Sequence, residues 1–70
     1  MERFVRITCE YDNGKEVNME GIEGSVWYEP EDNELSFRSA VNGRIKFNTL
    51  YMKKIIINNE MVKGNITCYC

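Results

Sequence analysis

The sequence predicts a small all-β protein: one domain, residues 1–70, folded as an antiparallel barrel or sandwich of about six short strands. Apolar residues recur at every second position along most of the chain, which is the period of a strand and not of a helix. Turn segments rich in Asn, Asp, Gly and Pro interrupt this pattern about every ten residues. A chain of this length can enclose one core, and it buries only about 60% of its unfolded surface.

The first strand is predicted to end at Asp12-Asn13-Gly14, a strong signal for a tight turn. Along this strand the apolar set Val5, Ile7, Cys9 and Tyr11 alternates with Phe4, Arg6, Thr8 and Glu10. The chain is expected to return antiparallel over residues 15–19. The segment 19–24 contains two glycines and is predicted to be a connection without regular structure.

The second predicted hairpin joins residues 25–29 to residues 34–41 through Pro30-Glu31-Asp32-Asn33, where the proline suits the second position of a type I turn. A four-residue loop turns four side chains toward the core: Val26, Tyr28, Leu35 and Phe37. Trp27 then pairs with Ser36 on the opposite side. Trp27 is there either covered by another strand or loop, or exposed to solvent.

The third hairpin turns at Val41-Asn42-Gly43. A strict two-residue loop would place Phe37 opposite Asn48, so neither face would be apolar. A three-residue loop with its glycine in the left-handed conformation instead places Phe37 opposite Phe47. One face then belongs to the core. The other carries three bases, Arg38, Arg44 and Lys46, with Arg38 opposite Lys46. Like charges placed together on a net acidic protein indicate a binding surface.

The rest of the chain is predicted to continue as strands. Arg44–Leu50 is followed by Tyr51–Ile57, which is apolar on both faces at its isoleucine triplet. A short helix near residues 49–56, capped by Thr49, is the competing prediction. Two short strands end the chain: Met61–Lys63 and Ile66–Cys70. Because a two-sided isoleucine run is hard to cover in so small a domain, we expect a homodimer with two-fold symmetry.

The chain lacks the usual parts of an enzyme. Histidine is absent, which removes the commonest general acid–base and the commonest metal ligand. A glycine-rich phosphate loop and the HExxH and GxSxG patterns are also absent, so we expect no enzymatic activity and no cofactor. Cys9, Cys68 and Cys70 fall one ligand short of a tetrahedral zinc site. They are therefore predicted to be reduced thiols, and no metal is expected.

Charge is distributed unevenly, although the formal net charge is only −2. All but one of the acidic residues lie within residues 1–36, and most of the bases lie within residues 37–70. The two halves either neutralise each other on folding or leave a dipolar surface suited to a charged partner. A second acidic feature surrounds the 30–33 turn: Glu29, Glu31, Asp32 and Glu34. This cluster is either a solvated loop or a contact surface for a basic partner.

Four residues are the candidate partner-binding set: Trp27, Arg38, Arg44 and Lys46. A protein partner is favoured, because Trp and Arg are enriched among the residues that dominate interface energetics. Nucleic acid bound by an OB- or Sm-like β-barrel is the alternative, since a Trp beside bases also stacks on unpaired nucleobases. The sequence pI near 5.1 counts against that alternative, because nucleic-acid binders are usually basic.

The N-terminal sequence MERFVRITCEY has no apolar signal core, and no stretch of the chain is long enough to cross a bilayer. We therefore expect a cytoplasmic protein. A small chain without catalytic parts is typical of accessory proteins of phages and mobile elements. The functional hypothesis is a non-enzymatic binding protein that engages or inhibits a protein of the host.

Overall fold

The computed structural model describes residues 3–64, which form two antiparallel sheets and no helix. The seven strands are β1 (Phe4–Tyr11), β2 (Glu16–Ile22), β3 (Trp27–Glu29), β4 (Glu34–Ser39), β5 (Gly43–Asn48), β6 (Met52–Ile57) and β7 (Glu60–Lys63). One sheet has the order β2-β1-β6-β7, and the other has the order β3-β4-β5. The all-β prediction is confirmed, and the arrangement is a sandwich rather than a closed barrel.

Strands β1 and β2 form the first hairpin at the predicted turn, where Gly14 has a φ of 91°. Strand β2 continues to Ile22, so the prediction of an irregular connection over residues 19–24 is wrong for its first part. Gly21 explains the difference. A Cβ at this position would lie 3.0 Å from Cδ2 of Phe37. The glycine therefore serves close packing between the sheets, and the strand passes straight through it.

The β3–β4 hairpin has the predicted register. Trp27 lies opposite Ser36 and Tyr28 lies opposite Leu35. The four-residue loop closes with Asn33 in the left-handed region, at a φ of 52°. Asparagine tolerates that conformation better than most residues, so the last loop position suits it.

The β4–β5 hairpin keeps the predicted faces but shifts the pairing by two residues. Phe37 lies opposite Ile45, not Phe47, and Arg38 lies opposite Arg44 rather than Lys46. The turn contains residues 40–42, one position earlier than predicted, while its glycine, Gly43, is left-handed as expected, with a φ of 71°. The reason is the Ser39 hydroxyl, which accepts hydrogen bonds from the backbone N–H groups of residues 41 and 42 at 3.2 and 3.3 Å and so starts the turn early.

The prediction of a short helix near residues 49–56 is wrong. Strand β5 ends at Asn48, residues 49–51 form a connection, and Met52–Ile57 is a strand between β1 and β7. Three successive β-branched isoleucines favour this outcome, since their side chains fit a pleated surface better than a helix. The following turn holds Asn58 and Asn59 at φ values of 50° and 67°, as in a two-residue hairpin turn of type I′. The last predicted strand, Ile66–Cys70, lies outside the described residues.

The core lies between the two sheets and draws its buried side chains from three strands, β1, β4 and β6: Ile7, Cys9, Leu35, Phe37, Met52 and Ile55. Phe47 was predicted to be buried and is half-buried; its ring stacks on that of Phe37 with centroids 6.1 Å apart. Ile56 points away from this core and is half-buried on the outer side. Residues 3–64 contain no helix that could cross a membrane.

Candidate interaction surface

One side of the β3-β4-β5 sheet faces away from the core. We call it the Trp27 face, and it is formed by Trp27, Glu29, Glu34, Ser36, Arg38, Arg44, Lys46 and Asn48. Strand alternation creates it, because the intervening residues on the same strands turn Tyr28, Leu35, Phe37, Ile45 and Phe47 toward the core. All four residues of the predicted partner-binding set are on this face.

Trp27 is the large aromatic side chain at the edge of this face, and it is 62% exposed. Its strand position explains why it is not in the core. Tyr28, the next residue, pairs with Leu35 on the inner side, so Trp27 must point outward. An exposed indole of this size carries apolar area that a partner could remove from water.

The centre of the face is a short row of paired residues. Ser36 lies between Trp27 on β3 and Lys46 on β5. The Nη2 atom of Arg44 donates a hydrogen bond of 2.9 Å to the Ser36 hydroxyl, which brings the Arg44 guanidinium into this row. Ser36 is only 3% exposed although it points outward, because its neighbours cover it. The row therefore places a held positive charge close to the exposed Trp27.

Arg38 and Arg44 form the basic end of the face, since they lie directly opposite each other across β4 and β5. Like charges placed directly opposite each other are destabilising in a sheet. The Arg38 backbone N–H donates to the Ser25 hydroxyl at 3.0 Å, and that hydroxyl donates to the Ile22 carbonyl at 2.6 Å. These two bonds hold the basic end to the connection between the sheets.

The opposite end of the face is acidic. Glu29 and Glu34 lie opposite each other, and a Glu34 carboxylate oxygen is 3.8 Å from the Lys46 ammonium. Both groups are well exposed, so this ion pair contributes little to stability and leaves the lysine available to a partner. The predicted acidic cluster is thus divided: Glu31 and Asp32 lie exposed in the β3–β4 turn, whereas the other two belong to the Trp27 face.

Cys9 is the cysteine that lies within the described residues, and its thiol is free. Cys9 is fully buried in the core, and burial raises the pKa of its thiol by disfavouring the thiolate. Cys68 and Cys70 lie outside the described residues. Within residues 3–64 no group of three or more potential metal ligands lies together. The expectation of no metal and no cofactor stays a prediction.

Sequence reasoning missed a second exposed apolar feature. Leu50 and Tyr51 were assigned to strands, but they lie in the β5–β6 connection and are 53% and 68% exposed. Hydrogen bonds hold this connection against two neighbouring turns: Thr49 N–H donates to the Asn33 carbonyl at 2.8 Å, and Asp12 N–H donates to the Tyr51 carbonyl at 2.9 Å. No local pattern in the sequence marks this connection, since these bonds link turns far apart in sequence.

In comparisons with known proteins, no family model, curated protein or solved structure matches this chain.

Proposed function

We propose that this protein is a non-enzymatic binding protein whose Trp27 face docks on an acidic surface of another protein. The observation that carries the proposal is the clustering of an exposed Trp with three bases on one side of one sheet. Tryptophan and arginine are the residues that most often dominate interface energetics. A partner would cover the Trp27 ring and offer carboxylates to Arg38, Arg44 and Lys46.

The charge pattern of the face supports a polar and directional interface. Its basic end holds the opposed arginines, and its other end holds Glu29 and Glu34. A partner in register therefore presents acids at one end and a base at the other. Such complementarity fixes orientation and accelerates association more than it raises affinity. The binding energy itself is expected to come mainly from Trp27.

Nucleic acid is the rival partner, because an exposed Trp beside bases can also stack on unpaired nucleobases. Glu29 and Glu34 on the same face count against it, since they would repel a phosphate backbone. The net charge of −2 counts in the same direction. We therefore rank the protein partner first. A cytoplasmic setting and inhibition of a host protein complete the proposal, since small chains without catalytic motifs are typical of accessory proteins of phages and mobile elements.

The proposal is tested by affinity capture from a lysate of the native host, with and without nuclease. Five baits are compared: the wild type, Trp27→Ala, Arg38→Glu/Lys46→Glu, and two controls, Tyr51→Ala and Lys15→Glu/Lys53→Glu. The controls remove an equally exposed aromatic side chain and reverse two charges away from the Trp27 face.

The proposal requires a protein that survives nuclease treatment, is retained by both controls and is lost with both Trp27-face variants. Capture that disappears with nuclease supports the nucleic-acid alternative instead. Capture that is equal for all baits would show that the Trp27 face is only a solvated surface.

A further inference from the structure

The two sheets present four edge strands within residues 3–64: β2 and β7 in one sheet, and β3 and β5 in the other. An edge strand carries unpaired backbone groups that a second chain can use to extend the sheet. Proteins commonly prevent this by placing charges along the edge. The four edges differ sharply in whether they could pair with a copy of themselves.

Strands β2 and β5 are poorly suited to pair with their own copies. Antiparallel pairing of β5 about Ile45 would place Arg44 opposite Lys46 of the second copy, and like charges directly opposite each other are destabilising in a sheet. Antiparallel pairing of β2 about its central residue would place both of its glutamates, Glu16 and Glu20, opposite uncharged residues, so no opposite charges would join the two copies. Strand β3 has three residues and offers little to pair with.

Strand β7, unlike the other edge strands, is suited to pair with its own copy. Its sequence, Glu60-Met61-Val62-Lys63, is self-complementary when two copies run antiparallel about the midpoint of the strand. Glu60 then lies opposite Lys63 of the second copy, and Met61 lies opposite Val62 of the second copy. The central pair is exposed at present, at 45% for Met61 and 40% for Val62.

An irregularity in β7 makes the side-chain directions agree with this pairing. Glu60 pairs with Ile57 and Lys63 pairs with Ile55, so both lie on the inner side although they are three residues apart. Val62 is the extra residue, a bulge between Met61 and Lys63 that has no partner on β6. The charged residues therefore share one side of the strand, and the two exposed apolar residues occupy the positions between them.

We propose that two copies of this chain associate through their β7 strands with two-fold symmetry, joining the four-stranded sheets into one sheet of eight strands. Ile56, which lies beside Met61 and is half-buried, extends the apolar contact on the outer side of each copy. Lys63 already donates to the Thr49 carbonyl at 2.7 Å, and its ammonium has further donors for Glu60 of the second copy. The Trp27 face lies on the other sheet, so this assembly is independent of the proposed function.

The test is the molar mass of the full chain by sedimentation over a wide concentration range. Glu60→Lys and Lys63→Glu each place like charges at both ends of the paired strands, so we expect each to weaken the dimer by about tenfold or more. An equimolar mixture of the two variants restores opposite charges, and so does the double variant Glu60→Lys/Lys63→Glu. Both are expected to recover the dimer. Glu16→Lys on β2 is the matched control and should leave the dimer unchanged.

Because Lys63 also holds the Thr49 carbonyl, circular dichroism checks that each variant is folded. A variant with both exposed apolar residues charged, Met61→Lys/Val62→Lys, gives a test that does not depend on Lys63, and it is expected to be monomeric. A monomer mass at every wild-type concentration would overturn the proposal. So would a dimer that is unchanged by Met61→Lys/Val62→Lys, a mixture of the charge variants that stays monomeric, or growth beyond a dimer.

Discussion

The Arg44 guanidinium lies over Ser36 on the outward side of the second sheet, with 2.9 Å between Nη2 and the hydroxyl oxygen. Ser36 stands between Trp27 and Lys46 in the strand pairing, so this one hydrogen bond brings a second base, beside Lys46, to the middle of the Trp27 face. An arginine side chain has many rotamers, and holding one of them before binding lowers the entropy cost of forming an interface.

Replacing Ser36 by Ala is therefore expected to weaken partner binding more than it changes stability. The Arg44 guanidinium loses its acceptor but remains exposed to water, so the free energy of unfolding should change by about 1 kcal/mol or less. The dissociation constant should rise, because the base is no longer held beside Trp27. Calorimetric titration and thermal unfolding of the same variant measure the two quantities.

Thr8→Ala is the matched control for that prediction. It also removes a side-chain hydrogen bond, the 2.8 Å bond from the Thr8 hydroxyl to the Asn18 amide oxygen, but it lies on the other sheet. Equal effects of the two substitutions on affinity would show that the Ser36–Arg44 bond has no positioning role.

Trp27→Ala is expected to cost about 2 kcal/mol or more of binding free energy, the usual effect of removing an aromatic residue that dominates an interface. Arg38→Glu/Lys46→Glu should also abolish binding, since it reverses the charge at both ends of the basic cluster. Both variants should unfold close to the wild-type temperature, because the Trp27 side chain is mostly exposed and exposed charges contribute little to stability. A large fall in that temperature would mean that the side chains support the sheet.

The salt dependence of binding separates the two classes of partner. Three bases on a nucleic acid predict a log–log slope of affinity against salt of about −2 to −3. A protein held mainly by Trp27 should show a shallower slope, seen chiefly in the association rate. Titration of the purified partner at several salt concentrations gives the slope directly.

Gly21→Ala is expected to destabilise the fold by about 1 to 3 kcal/mol, as overpacking of a filled core usually does. The new methyl group would lie 3.0 to 3.1 Å from three atoms of the Phe37 side chain, a fully buried ring that has little room to move. Chemical denaturation measures the loss. Glu20→Ala, an exposed neighbour on the same strand, is the control and should have little effect.

Because the Cys9 thiol is buried, we expect the free energy of unfolding to fall at alkaline pH. Burial raises the pKa of its thiol in the folded protein above that in the unfolded chain. The stabilisation is therefore fully present below the unfolded thiol pKa, about 8.5, and is lost as pH rises through the higher folded value. Compared with Cys9→Ala, the wild type should lose stability more steeply above that pH. Parallel stability–pH curves for the two proteins would contradict this.

The sequence alone determined which side of each strand faces the core. Side chains alternate with a period of two, so the positions of Trp27 and Phe37 on opposite faces follow once the turn at residues 30–33 is recognised. The same reasoning placed the predicted bases on one surface with Trp27, and that grouping is confirmed in the fold. Whether this surface binds a partner stays a prediction.

The tertiary structure decided the register between strands, which the alternation of side chains with a period of two does not determine. A shift of two residues between β4 and β5 exchanges the opposed pairs but keeps every side chain on its face, so the apolar pattern cannot distinguish the two registers. The hydrogen bonds that the Ser39 hydroxyl accepts in the turn favour the observed register, with Phe37 opposite Ile45. The sequence predicted that Gly21 interrupts the strand. In the structure a side chain at this position would collide with the Phe37 ring of the other sheet, and a contact between sheets cannot be recognised from the local sequence. Likewise, the exposed turn at Leu50 and Tyr51 is held by hydrogen bonds to turns distant in sequence, and such contacts exist only after the chain has folded.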